Sequence, residues 1–325
     1  MKKFSVSLIG CGKIGFLYDY AKRNGVPLTH FTNFYESRNF SLEAVVDPNE
    51  RILKIIEKKF KIKTYTDYSQ FLQAGVTDVV CVASPDDTHS EILEELAHYR
   101  PKLVFCEKPL ALNSEDARHI IRLFEKKKIP LLVNYSRRFI KEYADLKRLI
   151  ENKSLGKIQS LLIYYSRGLM HNGSHYLDLI LWYFGQPDDI GYESERPGLY
   201  GGDTTINCSM FYKSGLEVRM IGIDTSNLIV NEIDLLGDKG RVMINTDGLM
   251  EIFSVKKDPV FKDYRRFVLD RKLKISSNIA LKNAAKNIYA CLNNGRSLLS
   301  PGRDSARIFD LIDDIRRATH GKTCN

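Results

Sequence analysis

Three glycines, spaced as Gly10-Cys11-Gly12-Lys13-Ile14-Gly15, close the alternating run Phe4-Ser5-Val6-Ser7-Leu8-Ile9. The alternation predicts a strand, and a helix-permissive stretch follows from Lys13. In that setting the glycines play separate parts. Gly10 makes the tight turn, Gly12 lets a pyrophosphate approach the backbone, and Gly15 packs the helix against the strand. Cys11, Lys13 and Ile14 complete the candidate phosphate turn. The same residues admit a second reading, because Leu8-Ile9-Gly10-Cys11 behind two lysines has the form of a lipoprotein cleavage box. An export signal needs roughly 7–15 apolar residues before its cleavage site. Here only Phe4 to Ile9 precedes it, broken by two serines, so the strand-and-turn reading is preferred.

The rest of the first half continues the rhythm. SVSLIG, LEAVVD, TDVVCVAS, KLVFCE and PLLVNY are short runs rich in Val, Ile and Leu, and the helix-like stretches Asn49–Lys59, Thr88–His98 and Ser114–Lys127 lie between them. Alternation of this kind predicts a doubly wound parallel sheet, a Rossmann domain over residues 1–135. Asp47 ends LEAVVD, where a carboxylate accepts hydrogen bonds from the adenosine ribose. It lies further from the glycines than the usual ~20 residues. An insertion, Asn24 to Phe40, accounts for the excess; it contains turn formers and a histidine. Asp47 favours NAD, and Arg51 keeps NADP open because it can meet a 2′-phosphate.

Composition removes several classes. No apolar run approaches the ~18 residues of a membrane helix, so no membrane partner is expected. Six scattered cysteines, Cys11, Cys81, Cys106, Cys208, Cys291 and Cys324, form no CxxC pair and read as reduced thiols of a cytoplasmic protein. The net charge of +9 concentrates in Lys256–Lys274, with eight cations against three acids. That segment reads as a solvated, partly mobile loop, with a docking site for an anionic substrate, a neighbouring subunit or a membrane surface as the alternative. No nucleic-acid partner is expected.

Four further motifs follow in order: SPDDTH (Ser84–His89), CEKPLA (Cys106–Ala111), VNYSRRF (Val133–Phe139) and GSHYLD (Gly173–Asp178). With GCGKIG they identify a resemblance to the Gfo/Idh/MocA oxidoreductases, running from about residue 4 to the final helix. The resemblance implies a second domain, residues 136–325, of α+β type with an open, mostly antiparallel sheet. Its outer face is expected to form a subunit interface in a homo-oligomer, a dimer or tetramer. The alternating segments KIQSLLIYYSR, TTINCSMFY, LEVRMIGID, NEIDLLG and GRVMINTD permit this, joined by turns such as Lys213-Ser214-Gly215 and Gly237-Asp238-Lys239-Gly240. The resemblance also adds Ser84, Pro85, His89, Glu107 and Lys108 to the cofactor-binding set, and places Lys108 against a substrate hydroxyl.

His175 is the candidate general acid/base, since an imidazole titrates near working pH. Asn172-Gly173-Ser174 offers a turn and helix cap in front of it, and Asp178 stands one turn later as a partner or anchor. The family pattern carries Asp-x-x-x-His, whereas this chain reads His171-Asn172-Gly173-Ser174-His175, so the proton relay does not transfer unchanged. His171, His175 and Asp178 also invite a metal site, but Gly173 and two turn formers between the histidines argue against it, and no metal is expected. Tyr135, Arg137 and Arg138 are expected to enter the cleft from the end of the last Rossmann strand, and the resemblance implies Arg137 in the substrate pocket and Arg138 at the interdomain hinge. Arg167 ends IYYSR just before the histidines. Together with Arg137 it suits a carboxylate or phosphate, and an internal salt bridge is the competing role. The expected activity is NAD(P)-dependent hydride transfer to or from a hydroxyl or keto carbon of a sugar, sugar nucleotide or cyclitol. A redox-silent dinucleotide sensor and an NAD-assisted glycosidase are the rivals.

Overall fold

The computed structural model describes residues 3–21, 25–198, 202–223 and 229–320. Asn24 of the insertion, Asp224 at the end of LEVRMIGID and Cys324 fall outside them. Two compact units result, 1–139 with 278–309 and 140–277 with 310–325. The sequence reading draws a single boundary after residue 135; the chain instead returns to its first unit near the end.

The first unit holds six parallel strands, β1 (Phe4–Ile9), β2 (Phe40–Val46), β3 (Lys63–Tyr65), β4 (Val79–Val82), β5 (Leu103–Cys106) and β6 (Leu131–Val133), in the order β3-β2-β1-β4-β5-β6. This is the doubly wound Rossmann order. Strands β4, β5 and β6 are buried throughout, as a parallel sheet covered on both faces requires. The connecting helices are α1 (Tyr18–Ala21), α2 (His30–Tyr35), α3 (Glu50–Phe60), α4 (Tyr68–Gln73), α5 (His89–Tyr99) and α6 (Ser114–Lys127). Side chains satisfy several of their first-turn amides: Asn49 accepts from Arg51 and Ile52, Asp67 from Ser69, and Asn113 from Asp116.

The second unit begins with α7 (Lys141–Glu151) and contains α8 (Ser174–Phe184). Its mixed sheet runs from β7 (Ile158–Ser166) through β8 (Asp189–Arg196), β9 (Thr205–Phe211), β10 (Glu217–Ile223), β11 (Asn231–Gly237), β12 (Gly240–Ile244) and β13 (Leu249–Lys257) to β14 (Arg265–Lys274). Its order is β14-β13-β12-β11-β7-β10-β9-β8, and only β7 and β10 pair in parallel. Two apolar rows cross six strands in register: Met210-Val218-Leu161-Leu235-Val242-Ile252 and Cys208-Met220-Ile163-Ile233-Ile244-Met250. All twelve side chains are buried, so the period-2 pattern alone fixes which face is core. Two helices close the chain: α9 (Ala280–Asn294), in the first unit, and α10 (Gly302–His320), within which the division between units falls.

The basic segment Lys256–Lys274 is not a loop. It forms the end of β13 and the whole of β14, which pairs back along β13 as a hairpin, and the hairpin tip is tied by the Asp258 carboxylate accepting from the amides of Val260 and Phe261. Those amides hold the Asp258 pKa below its usual value. Strand β14 has a neighbour on one side only and is exposed along most of its length, so its cations have nothing to bury. Lysines and arginines there blunt an open sheet edge against pairing with another chain.

Among the described residues all cysteines are free; four are buried and Cys291 is half-buried. No described helix is long and apolar enough to cross a membrane.

Candidate active site

The chain leaves β1 through Gly10, whose φ of +97° a side chain would oppose. A Cβ on Gly10 would also lie 2.4 Å from the Ser84 nitrogen, so the turn is pressed against the end of β4. Gly15 meets the same turn from the helix side: its Cβ would lie 2.1 Å from the Gly10 carbonyl oxygen. Gly12 differs, since a Cβ there would enter open space. Residues Lys13–Leu17 form a π-turn with no side chain capping its N-terminus. The uncapped first-turn amides and the bare backbone at Gly12 fit a dinucleotide pyrophosphate. Lys13 is exposed and Ile14 half-buried.

Asp47 stands at the end of β2 beside this turn. Its carboxylate accepts from the Cys11 amide at 2.7 Å and from the Asn49 amide at 2.8 Å. It therefore braces the glycine turn as well as standing where a ribose is expected, and a carboxylate retains acceptor sites after two such bonds. Burial, with Asp47 adding to it, pushes the Cys11 thiol pKa far up, so this cysteine is inert packing. Arg51 is exposed in the first turn of α3. The insertion contains its own helix, α2. The buried Asp19 carboxylate anchors its start, taking the amides of Leu28 and Thr29 and the Thr29 hydroxyl.

The two motif loops beyond β4 and β5 are tied together by His89. Its ring is fully buried, with Nδ1 2.8 Å from the Pro109 carbonyl and Nε2 3.0 Å from the Ser84 carbonyl. Two carbonyl partners require both nitrogens to donate, which is the imidazolium. Burial works against that charge, but Cys106 and the two carbonyls outweigh it and push the pKa up to about 10. Read from the sequence as a cofactor contact, His89 has both nitrogens committed to backbone and acts by bracing the loops. The Ser84 hydroxyl is bonded to that of Thr88 at 2.7 Å, and Pro85 is exposed.

Glu107 is likewise committed. Oε1 accepts from His30 Nε2 and Asn134 Nδ2, each at 2.7 Å, and Oε2 from the Lys108 amide at 3.3 Å. Burial opposes its ionisation, yet His30, Asn134 and Lys108 together hold its pKa below the ordinary value. The carboxylate thus fixes the backbone that carries Lys108, ahead of the cis Lys108-Pro109 bond. The sequence reading missed Asn134 as a partner and left the insertion's histidine without a role; a histidine amid turn formers was the available signal. It missed Asp86 too, whose carboxyl pKa is raised by burial against the pull of His89 and Lys108.

Of the three residues expected to enter a cleft after β6, two are interior. Tyr135 is buried, and buried Arg138 donates to the Leu299 carbonyl and to Asp304. An arginine with those partners is a structural tie within the first unit. Arg137 is half-buried in the turn Ser136–Phe139.

In the second unit, β7 runs into Arg167 at φ +72° and Gly168 at φ +87°. Arg167 is half-buried, and its Nε lacks a hydrogen-bond partner among the described residues. The expected loop is instead a π-turn, Leu169–Gly173, leading directly into α8. The expected cap is absent: no side chain caps α8, and the Asn172 amide group donates to the Ser166 carbonyl and to Asn231 Oδ1, each at 3.0 Å. His171 and His175 are half-buried, whereas Asp178 is fully buried in α8. Asp203 was not anticipated. Its Oδ1 accepts from the Met170 amide at 2.9 Å and its Oδ2 from the His171 amide at 2.8 Å. Among the described residues, no group of three or more His, Cys, Asp or Glu could hold a metal ion.

Residues 4–135 match GFO_IDH_MocA, described as "Oxidoreductase family, NAD-binding Rossmann fold". The chain is 31% identical over 241 residues to the myo-inositol 2-dehydrogenase of Thermotoga maritima, covering 74% of this chain and 63% of that one. It is 29% identical over 163 residues to the rhizopine catabolism protein MocA of Rhizobium meliloti, covering 49% and 45% respectively. The match therefore spans less than two thirds of either relative. The crystal structure of the WlbA dehydrogenase from Bordetella pertussis, in complex with NADH and UDP-GlcNAcA, superposes with a TM-score of 0.76. It covers 98% of this chain and 97% of that one at 19% identity, a likeness of fold. With the strand order, the glycine turn and Glu107-Lys108-Pro109 all present, residues 4–135 form an NAD-binding Rossmann domain of the Gfo/Idh/MocA oxidoreductase family.

Proposed function

We propose that this protein is an NAD(P)-dependent oxidoreductase acting on a hydroxyl or keto carbon of a sugar, sugar nucleotide or cyclitol. The observation that carries the reading is the glycine turn, with uncapped amides, no side chain at Gly12 and a carboxylate at Asp47. Asp47 favours NAD, and exposed Arg51 leaves NADP open. Relatives and neighbours named for inositol and for a nucleotide sugar support the substrate class.

When bound, the nicotinamide ring supplies the hydride acceptor or donor. Lys108 hydrogen-bonds the reacting oxygen through its ammonium, held by the Glu107 clamp on its own amide. His175 takes the hydroxyl proton in oxidation and returns it in reduction. Arg137, Arg167, His171 and Asp178 make up the substrate set, the arginines suited to a carboxylate or phosphate. We further propose a cytoplasmic homo-oligomer, a dimer or tetramer, which light scattering on the purified protein tests. Titration of NADH and NADPH fluorescence, followed by a sugar panel read at the nicotinamide absorbance, tests the activity. Cofactor-dependent turnover is expected; binding without turnover across the panel would overturn it in favour of a sensor, and cleavage without net reduction in favour of a glycosidase.

A further inference from the structure

The turn that carries both histidines is held from outside itself. Its four leading amides are each taken by the segment entering β9: Gly168 donates to the Thr205 hydroxyl, Leu169 to the Thr204 carbonyl, and Met170 and His171 to the two oxygens of Asp203. A second hold comes from β11. Asn231 Oδ1 accepts from Asn172 and from the Tyr176 hydroxyl at 2.8 Å, and these residues immediately follow His171 and His175. The site is shaped around Asp203. A Cβ on Gly168 would lie 2.0 Å from Asp203 Oδ2, and one on Gly198 1.7 Å from the Asp203 carbonyl oxygen. Two glycines thus make room for one aspartate, and Arg167 accepts a left-handed backbone next to it.

We propose that Asp203 is a positioning residue of the reaction, setting where the His171 and His175 imidazoles stand by gripping the two amides at the head of their turn. This rests on the assignment of His175 as acid/base. A methyl at 203 accepts from neither amide. An asparagine offers one oxygen and turns a second N–H toward an N–H, so it keeps one bond and loses the other.

The test uses the full-length protein and the variants Asp203→Ala and Asp203→Asn. Dinucleotide affinity is read by NADH fluorescence, and hydride transfer in single turnover with the best sugar of the panel, with and without added formate. Side-chain 15N spectra of the seven histidines are recorded in parallel. A misplaced acid/base group costs on the order of 100-fold in rate. The expected result for Asp203→Ala is a loss of that order in the hydride step with NADH affinity unchanged, partial recovery as formate refills the carboxylate site, and displacement of two histidine signals. Asp203→Asn is expected to fall between Asp203→Ala and the wild type. Wild-type rates in both variants overturn the proposal, and so do reduced rates with unmoved histidine signals and no response to formate. If the wild type itself turns over no sugar, the functional reading has failed. The placement of the imidazoles by Asp203 then stands or falls on the histidine spectra alone.

Discussion

At the scale of single residues, neighbouring glycines of one motif have opposite physical positions, and substitution separates them. Gly10 has a positive φ and backbone within 2.4 Å of where a Cβ would go, so Gly10→Ala strains the turn and forces β4 aside. A loss of at least about 1–3 kcal/mol is expected, read as a lower melting temperature. Gly12→Ala adds its methyl to open space, so melting is expected to stay near wild type while the NADH Kd rises. His89 gives a prediction in pH. Its folded pKa is raised from 6.5 to about 10, so the stability it contributes is complete below pH 6.5 and lost as pH climbs towards 10. Thermal melts from pH 6 to 10 should fall for the wild type and run flatter for His89→Gln. A parallel decline in both would show that the ring is neutral.

Elements differ in how plainly the sequence announces them. Strands β4, β5 and β6 were legible because both their faces are buried, leaving short all-apolar runs, and β1 and β2 because apolar residues rich in Val and Leu recur between their polar ones. The rows through β7, β9, β10, β11 and β12 were legible from alternation. Strand β3, three residues long, is too short to show a period, and β8, β13 and β14 carry charge where an edge or near-edge position permits it. Helix α2 hid inside turn-forming residues because its anchor, Asp19, lies outside the helix. The site was legible as residue types, not as partners. Glu107 and Asp47 stand out in the sequence as residues, yet their bonds to His30, Asn134 and Cys11 join positions that only the fold brings together. The cations of β14 yield their own prediction. Replacing Arg265, Arg266, Arg271 and Lys272 by threonine should leave the apolar rows intact and speed aggregation, followed by light scattering, because an open edge loses its charges.

For the molecule as a whole, the decisive feature is that residues 278–309 belong to the first unit. The contacts are specific. Asn33 donates to the Leu281 carbonyl, Asn283 to that of Phe139, and the Val133 amide to that of Ser300, while the Tyr289 ring sits edge-on to Phe4 and Phe40. A fragment of residues 1–139 alone is therefore expected to expose Phe4 and Phe40, and to melt earlier than the same fragment joined by a flexible linker to 278–309. Circular dichroism melts of the two compare them directly, and equal stability would show that α9 is dispensable. The order of synthesis gives this arrangement a temporal meaning. The glycine turn leaves the ribosome before the helix that completes its unit, with residues 140–277 of the second unit made in between. The nascent first unit must wait, incompletely covered, while residues 140–277 are translated, which makes it a natural client for chaperones during that interval.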